Sequence, residues 1–142
     1  MIVAYTDGGA RGNPGPAGYG VRIEDADGTL LAELHQPLGI ATNNAAEYCG
    51  LIAALDYLLE HGHRAARIRS DSELLVKQMG GEYRVKNEGL KPLWTEARAL
   101  VARLDRVIIE HVRRGDNKEA DRLANLAMDE AERFTRPTLS PE

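Results

Sequence analysis

With 142 residues, 43% hydrophobic and 28% charged, the chain has the size of one globular domain and enough apolar side chain to fill a core. Its single cysteine, Cys49, excludes an internal disulfide, and no window approaches the roughly 20 apolar residues of a membrane span. The net charge of −4 argues mildly against a nucleic-acid partner, since phosphate binding usually needs a positive surface, although Arg64, Arg67 and Arg69, and then Arg113, Arg114, Lys118 and Arg122, concentrate positive charge locally.

The start, MIVAYTDGGA, has neither a basic leader nor a long apolar run, so no signal peptide or anchor is expected and the location is read as cytoplasmic. Residues 2–7, IVAYTD, read as a strand ending at Asp7. GGARGNPGPAGYG is dense in glycine and proline and reads as a loop. Residues 19–25 and 29–36 read as two further strands joined at Asp27-Gly28, a strong hairpin signal, so the first three strands form an antiparallel meander. Asn44 to Leu59 carries Tyr48, Leu51, Ile52, Leu55, Leu58 and Leu59 at helical spacing, and Gly62 closes that helix. Residues 66–71, ARIRSD, read as a fourth strand ending at Asp71, parallel to an earlier one across the helical crossover. Then come a short helix from Ser72 to Met79, an irregular stretch over 80–92, a helix from Trp94 to Leu104 and a fifth strand over 106–112. The last helix runs from Lys118 to Arg133 with Ala120, Leu123, Ala124, Ala127 and Ala131 inward, and a flexible tail is expected from Thr135.

Four acids fall where such a sheet would gather them. Asp7 and Asp71 each end a strand, and sites in open α/β sheets form beyond the carboxyl ends of strands. Glu47 and Asp121 lie near the starts of the first and last long helices. Each has a plainer alternative: Asp7 as a turn acid, Glu47 as the partner of Asn44 in a capping box, Asp71 as a turn or cap residue, Asp121 as an acid favoured by the helix dipole. Together they would repel one another without cations between them, and hard oxygen ligands suit Mg²⁺ or Mn²⁺.

The segments TDGGARGNPGPAGYG, TNNAAEYCGLIAAL, SDSELLVKQ and NKEADRLANLA resemble, in order, the four signature segments of type 1 ribonuclease H. The likeness covers nearly the whole chain, and the first two segments are highly specific. It implies an α/β, ribonuclease H-like fold: a five-stranded mixed sheet, three antiparallel strands then two parallel additions, with helices on both faces. Residues 1–134 would be the catalytic domain and 135–142 its tail. The resemblance further implies cleavage of the RNA strand of an RNA–DNA hybrid, leaving 5′-phosphate and 3′-hydroxyl ends. Asp7, Glu47, Asp71 and Asp121 would hold two ions about 3.5–4 Å apart, with Asp7 bridging both. His111, ten residues before Asp121, matches the family's histidine on a mobile loop that helps proton transfer or product release; otherwise it is a surface histidine ending a strand.

For the hybrid itself, Gly8 and Gly9 lack a Cβ and let backbone approach the RNA, while Asn13, Asn43 and Asn44 offer donors and acceptors to sugars and base edges. Thr42 resembles the residue that grips a DNA phosphate. Capping is the alternative for Asn43 and Asn44. Trp94 reads as core packing at a helix start, with stacking on a sugar or base as the alternative. Two departures from the family pattern stand out. Ile40 occupies a position often held by arginine, and GGEYRVKNEGLKPLW is a short form of the family's basic protrusion with only Arg84, Lys86 and Lys91. The separate hybrid-binding domain of some family members is not expected here. Modest, salt-sensitive affinity is therefore expected. The rivals are a transposase or junction-resolvase core, which lacks the first two segments, and a non-catalytic hybrid-binding module, which usually lacks a carboxylate. Side activity on double-stranded RNA stays open. The expected molecule is a monomer with no obligate protein partner and no membrane association.

Overall fold

The computed structural model describes residues 1–135. Five strands form one mixed sheet in the order β3-β2-β1-β4-β5. β1 (Ile2–Ala10) pairs antiparallel with β2 (Gly15–Glu24), and β2 pairs antiparallel with β3 (Leu30–Ala41). β4 (Ala65–Ser70) and β5 (Arg106–His111) extend the other side in parallel. The helices are α1 (Asn43–Glu60), α2 (Glu73–Met79), α3 (Lys91–Ala102) and α4 (Lys118–Thr135). The expected mixed sheet with helices on both faces is what forms. The tail expected over 136–142 lies outside the described residues. Among the described residues no helix is long and apolar enough to cross a membrane.

Alternation along β1 separates the two layers. Ala4 points into the main core beneath α1, with Val21, Ile23, Leu51, Leu55, Leu58 and Ile68. α1 rests on β1 and β2 and is covered by α3, while α4 crosses β1, β2 and β3. α1 therefore buries more than the expected stripe. Ala46, Gly50 and Ala54, one turn apart, are buried as well, and Leu59 stays partly exposed. Each fully buried leucine contributes about 1.5–3 kcal/mol. On α4 all five expected inward residues are buried.

GGARGNPGPAGYG, expected to be a loop, is mostly strand. β1 runs on to Ala10 and β2 starts at Gly15, so only residues 11–14 form the turn. The glycines are there for packing. A Cβ on Gly20 would lie 2.4 Å from the Ala120 oxygen and 2.5 Å from the Ala124 nitrogen, and one on Gly18 would lie 2.4 Å from Ala127 Cβ. β2 thus presents a bare track against which α4 lies. Asp7 consequently sits inside β1, opposite Gly20, and Asp71 is the first residue after β4; neither ends its strand as expected.

Smaller differences have local causes. β3 continues past residue 36 through Pro37 because it is an edge strand, where a missing donor is tolerated. α3 begins at Lys91, since Pro92 falls in the first turn, where no N–H is needed. α2 is tied in through Gln78: its Oε1 accepts from Tyr48 Oη at 2.7 Å, and its carbonyl accepts from Trp94 Nε1 at 3.3 Å. Trp94 is a packing residue at a helix start, as its sequence context implies.

Candidate active site

Strand register brings the first two acids together. Thr6 of β1 lies level with Ser70 of the parallel β4, so the next residues, Asp7 and Asp71, stand side by side. Glu47 arrives from above. A Cβ on Gly8 would lie 2.3 Å from the Ala46 carbonyl carbon and 2.5 Å from the Glu47 nitrogen. Only a bare position lets the first turns of α1 rest on the strand and bring Glu47 beside Asp7. One carboxylate oxygen from each of Asp7, Glu47 and Asp71 lies within 4.8 Å of the others.

Asp121 reaches Asp7 from the other layer, in the first turn of α4. Among the described residues it stands outside the tight triplet. Asn117, only 1% exposed, joins the two elements. Its Nδ2 donates to the Thr6 carbonyl at 2.9 Å, and its own carbonyl accepts from the Asp121 nitrogen at 3.0 Å.

The acids are in electrostatic conflict. Burial first, and then the charges of Asp71 and Asp121, push the Asp7 carboxyl from 3.8 up to about 7. Burial, followed by the charges of Asp7 and Asp71, holds the Glu47 carboxyl well above its ordinary range. Glu47 Oε2 is buried with no hydrogen-bond partner. A buried carboxylate is costly unless a cation or donor meets it. Hard oxygen donors with one orphaned oxygen fit a divalent cation such as Mg²⁺ or Mn²⁺.

Capping and turn roles account poorly for three of the four acids. The N-cap of α1 is Thr42, whose Oγ1 accepts from the Ala45 nitrogen at 3.2 Å, so Glu47 is not the acid of a capping box. Ser72, not Asp71, caps α2. Asp7 accepts from the adjacent Gly8 N–H at 2.9 Å and lies within a strand rather than a turn.

Several of the other residues singled out from the sequence line or border one cleft, formed by Asp7, Gly8, Gly9, Ala10, Arg11, Asn43, Glu47, Arg114, Asp121, Asn125 and Met128. A Cβ on Gly9 would meet Met128 at ordinary contact distance, so a side chain would fit there, whereas the missing Cβ of Gly8 is taken up by α1. Asn43 Oδ1 accepts from the Ala10 nitrogen at 2.7 Å, and Asn13 Oδ1 accepts from the Asn43 nitrogen at 3.1 Å. Asn44 and Thr42 are exposed at the start of α1, and Ile40 is exposed at the end of β3. His111 ends β5 opposite Ser70 with its side chain exposed; the nearby Glu73 carboxyl is lowered chiefly by its hydrogen bond to Lys77 and that lysine's charge, with His111 adding least.

The structure adds Asn117 and Asn125, which the sequence does not single out, and selects Arg114 from the late basic cluster. Arg114 is one basic residue in a run. Asn117 carries a usable signal, lying one helical turn before Asp121. The arginines of the middle cluster are all paired, Arg67 and Arg69 with Glu110 and Arg64 with Asp105, and in the late cluster Arg122 pairs with Glu33 and Glu119.

Residues 5–127 match the family model described as "Reverse transcriptase-like". The bifunctional protein Rv2228c of Mycobacterium tuberculosis is 50% identical over 131 residues, 92% of this chain and 36% of the relative. Its N-terminal RNase H domain, solved as a fusion with maltose-binding protein, superposes with a TM-score of 0.92 at 48% identity, covering 95% of this chain and 98% of that one. Ribonuclease HI of Halobacterium salinarum is 43% identical over 92% of this chain and 65% of its own length. LC11-RNase H1, solved in complex with an RNA/DNA hybrid, gives a TM-score of 0.88 at 43% identity, covering 93% of this chain and 99% of that one. The chain thus spans about a third of the mycobacterial relative and about two thirds of the halobacterial one. With the matched sheet order, the carboxylate cluster and these likenesses in agreement, the chain belongs to the ribonuclease H-like, reverse transcriptase-like family.

Proposed function

We propose that this chain is a metal-dependent endonuclease that hydrolyses the RNA strand of RNA–DNA hybrids and leaves 5′-phosphate and 3′-hydroxyl ends. The observation that carries this reading is the convergence of Asp7, Glu47 and Asp71 within 4.8 Å, with Asp121 beside Asp7 and Glu47 Oε2 orphaned. The relatives called ribonuclease HI and RNase H1, one of them solved with a hybrid, support the substrate class.

In this reading Asp7, Glu47, Asp71 and Asp121 would hold two Mg²⁺ or Mn²⁺ ions. Bound ions of this kind supply Lewis acidity, activating water and stabilising the departing 3′ oxygen. The chain's own residues do the rest. Gly9, bare in the cleft wall, lets the RNA strand approach the backbone. Asn13 and Asn43 have their Oδ1 acceptors engaged internally, so they present N–H donors to the substrate. Every base pair shows acceptors in the minor groove, so donor-only reading is tolerant of sequence. Thr42 and Asn44, exposed at the N-terminus of α1, meet phosphate or sugar oxygens. His111 is assigned proton transfer or product release, and Arg114 brings positive charge to the cleft wall. Residues 1–134 form the catalytic unit, working as a monomer.

The test is cleavage of a labelled hybrid beside DNA duplex, RNA duplex and single-stranded RNA, with and without Mg²⁺ or Mn²⁺. RNA-strand cuts in the hybrid that need metal and vanish in Asp7→Asn support the reading. Binding of the hybrid without cleavage under either metal replaces it with a binding module.

A further inference from the structure

The turn over residues 11–14 is held from two sides. On one side are the Asn13 and Asn43 bonds to the start of α1. On the other, the Arg11 guanidinium reaches across to α4. It donates to Asp129, to Glu132 Oε1 at 3.1 Å, and to Asn125 Oδ1 at 3.2 Å and the Asn125 carbonyl at 3.5 Å. Asn125 Nδ2 in turn donates to the Asp121 carbonyl at 2.9 Å. Asp121, Asn125, Asp129 and Glu132 follow one another at helical spacing, so α4 presents a polar stripe that begins at the carboxylate cluster and ends at Arg11.

We propose that Arg11 is a positioning residue: it clamps the turn bearing Asn13 to the helix bearing Asp121, and so sets the distance between the hybrid-gripping asparagines and the carboxylates. This rests on the function proposed above. A planar guanidinium suits the task because its fixed fork engages several acceptors at once without losing its charge. Although Arg11 lines the cleft, its donors are directed to α4 and not into open space.

A direct contact with substrate phosphate would make a different prediction, and Asp129→Asn separates the two. The clamp account expects Arg11→Ala and Asp129→Asn each to raise KM for the hybrid by about fivefold, the scale of an exposed ion-pair network. It expects kcat to stay within about twofold, the double variant to be no worse than either single one, and Arg11→Lys to recover part of the loss. The salt slope of binding stays unchanged in Arg11→Ala. A phosphate contact would lower that slope by about 1, and Asp129→Asn, by freeing Arg11, would tighten binding. An unchanged or lowered KM in Asp129→Asn overturns the proposal. Amide exchange at Ala10 and Asn43 gives a readout independent of catalysis: faster exchange in Arg11→Ala supports the clamp even if no hybrid is cut, and unchanged exchange refutes it.

Discussion

In the metal-free protein the Asp7 carboxyl titrates near 7 instead of 3.8, chiefly because it is buried, and then because Asp71 and Asp121 face it. An acid with a raised folded-state pKa keeps its proton in the fold at pH values where the unfolded chain has lost it. Its presence therefore costs nothing below about pH 4, destabilises the fold progressively as pH rises to about 7, and costs a constant amount above that. The full difference amounts to about 4 kcal/mol. Asp7→Asn removes the ionisable group and also relieves Glu47, whose carboxyl is raised in part by Asp7. At pH 8 without metal, the variant should be about 2–4 kcal/mol more stable than the parent, roughly 6–15 °C in Tm for a chain of this size. At pH 4 the two should melt together. Addition of Mg²⁺ should raise the parent's Tm and leave the variant's nearly fixed, because the ion binds only the intact cluster. Thermal melts by circular dichroism at the two pH values, with EDTA or Mg²⁺, measure all of this. A variant equal to or less stable than the parent at pH 8 in EDTA would refute the electrostatic account of the cluster.

Gly8→Ala forces the start of α1 off β1, since the added Cβ would lie 2.3 Å from the Ala46 backbone; it should cost about 1–3 kcal/mol in denaturant melts and weaken Mg²⁺ binding measured by calorimetry. Asn117→Ala cuts the tie between Thr6 and the start of α4; the loss should be about 1–3 kcal/mol of stability and about 10–100-fold in metal affinity, read by titration of the folded variant. Arg114→Ala removes a positive charge from the cleft wall while leaving the melt unchanged; KM for the hybrid should rise several-fold in steady-state assays, and an unaltered KM would remove Arg114 from the substrate path.

The amino-acid sequence by itself determined the order of the elements and the α/β class, and it pointed to the four acids proposed as the metal site. Each of these leaves a local mark: apolar spacing at period 2 or 3.6, turn residues such as Asp27-Gly28, and four family segments within which the four acids fall. The glycine-rich segment misled because glycine's propensity points to loops, whereas here bareness serves helices that are distant in the chain. Gly8 is filled by Ala46, and Gly20 by Ala120 and Ala124. Such a contact is recorded in sequence only as a missing side chain, so it cannot be told from flexibility. Only the tertiary structure decided that Asp7 lies within its strand, that register sets it beside Asp71, and that Thr42 rather than Asn44 caps α1. The same holds for Arg11 being directed to Asp129 and Glu132, and for Arg114 lining the cleft. Those facts depend on which long-range surfaces meet, and a local pattern of residues does not encode the distance between two elements that close packing alone brings into contact.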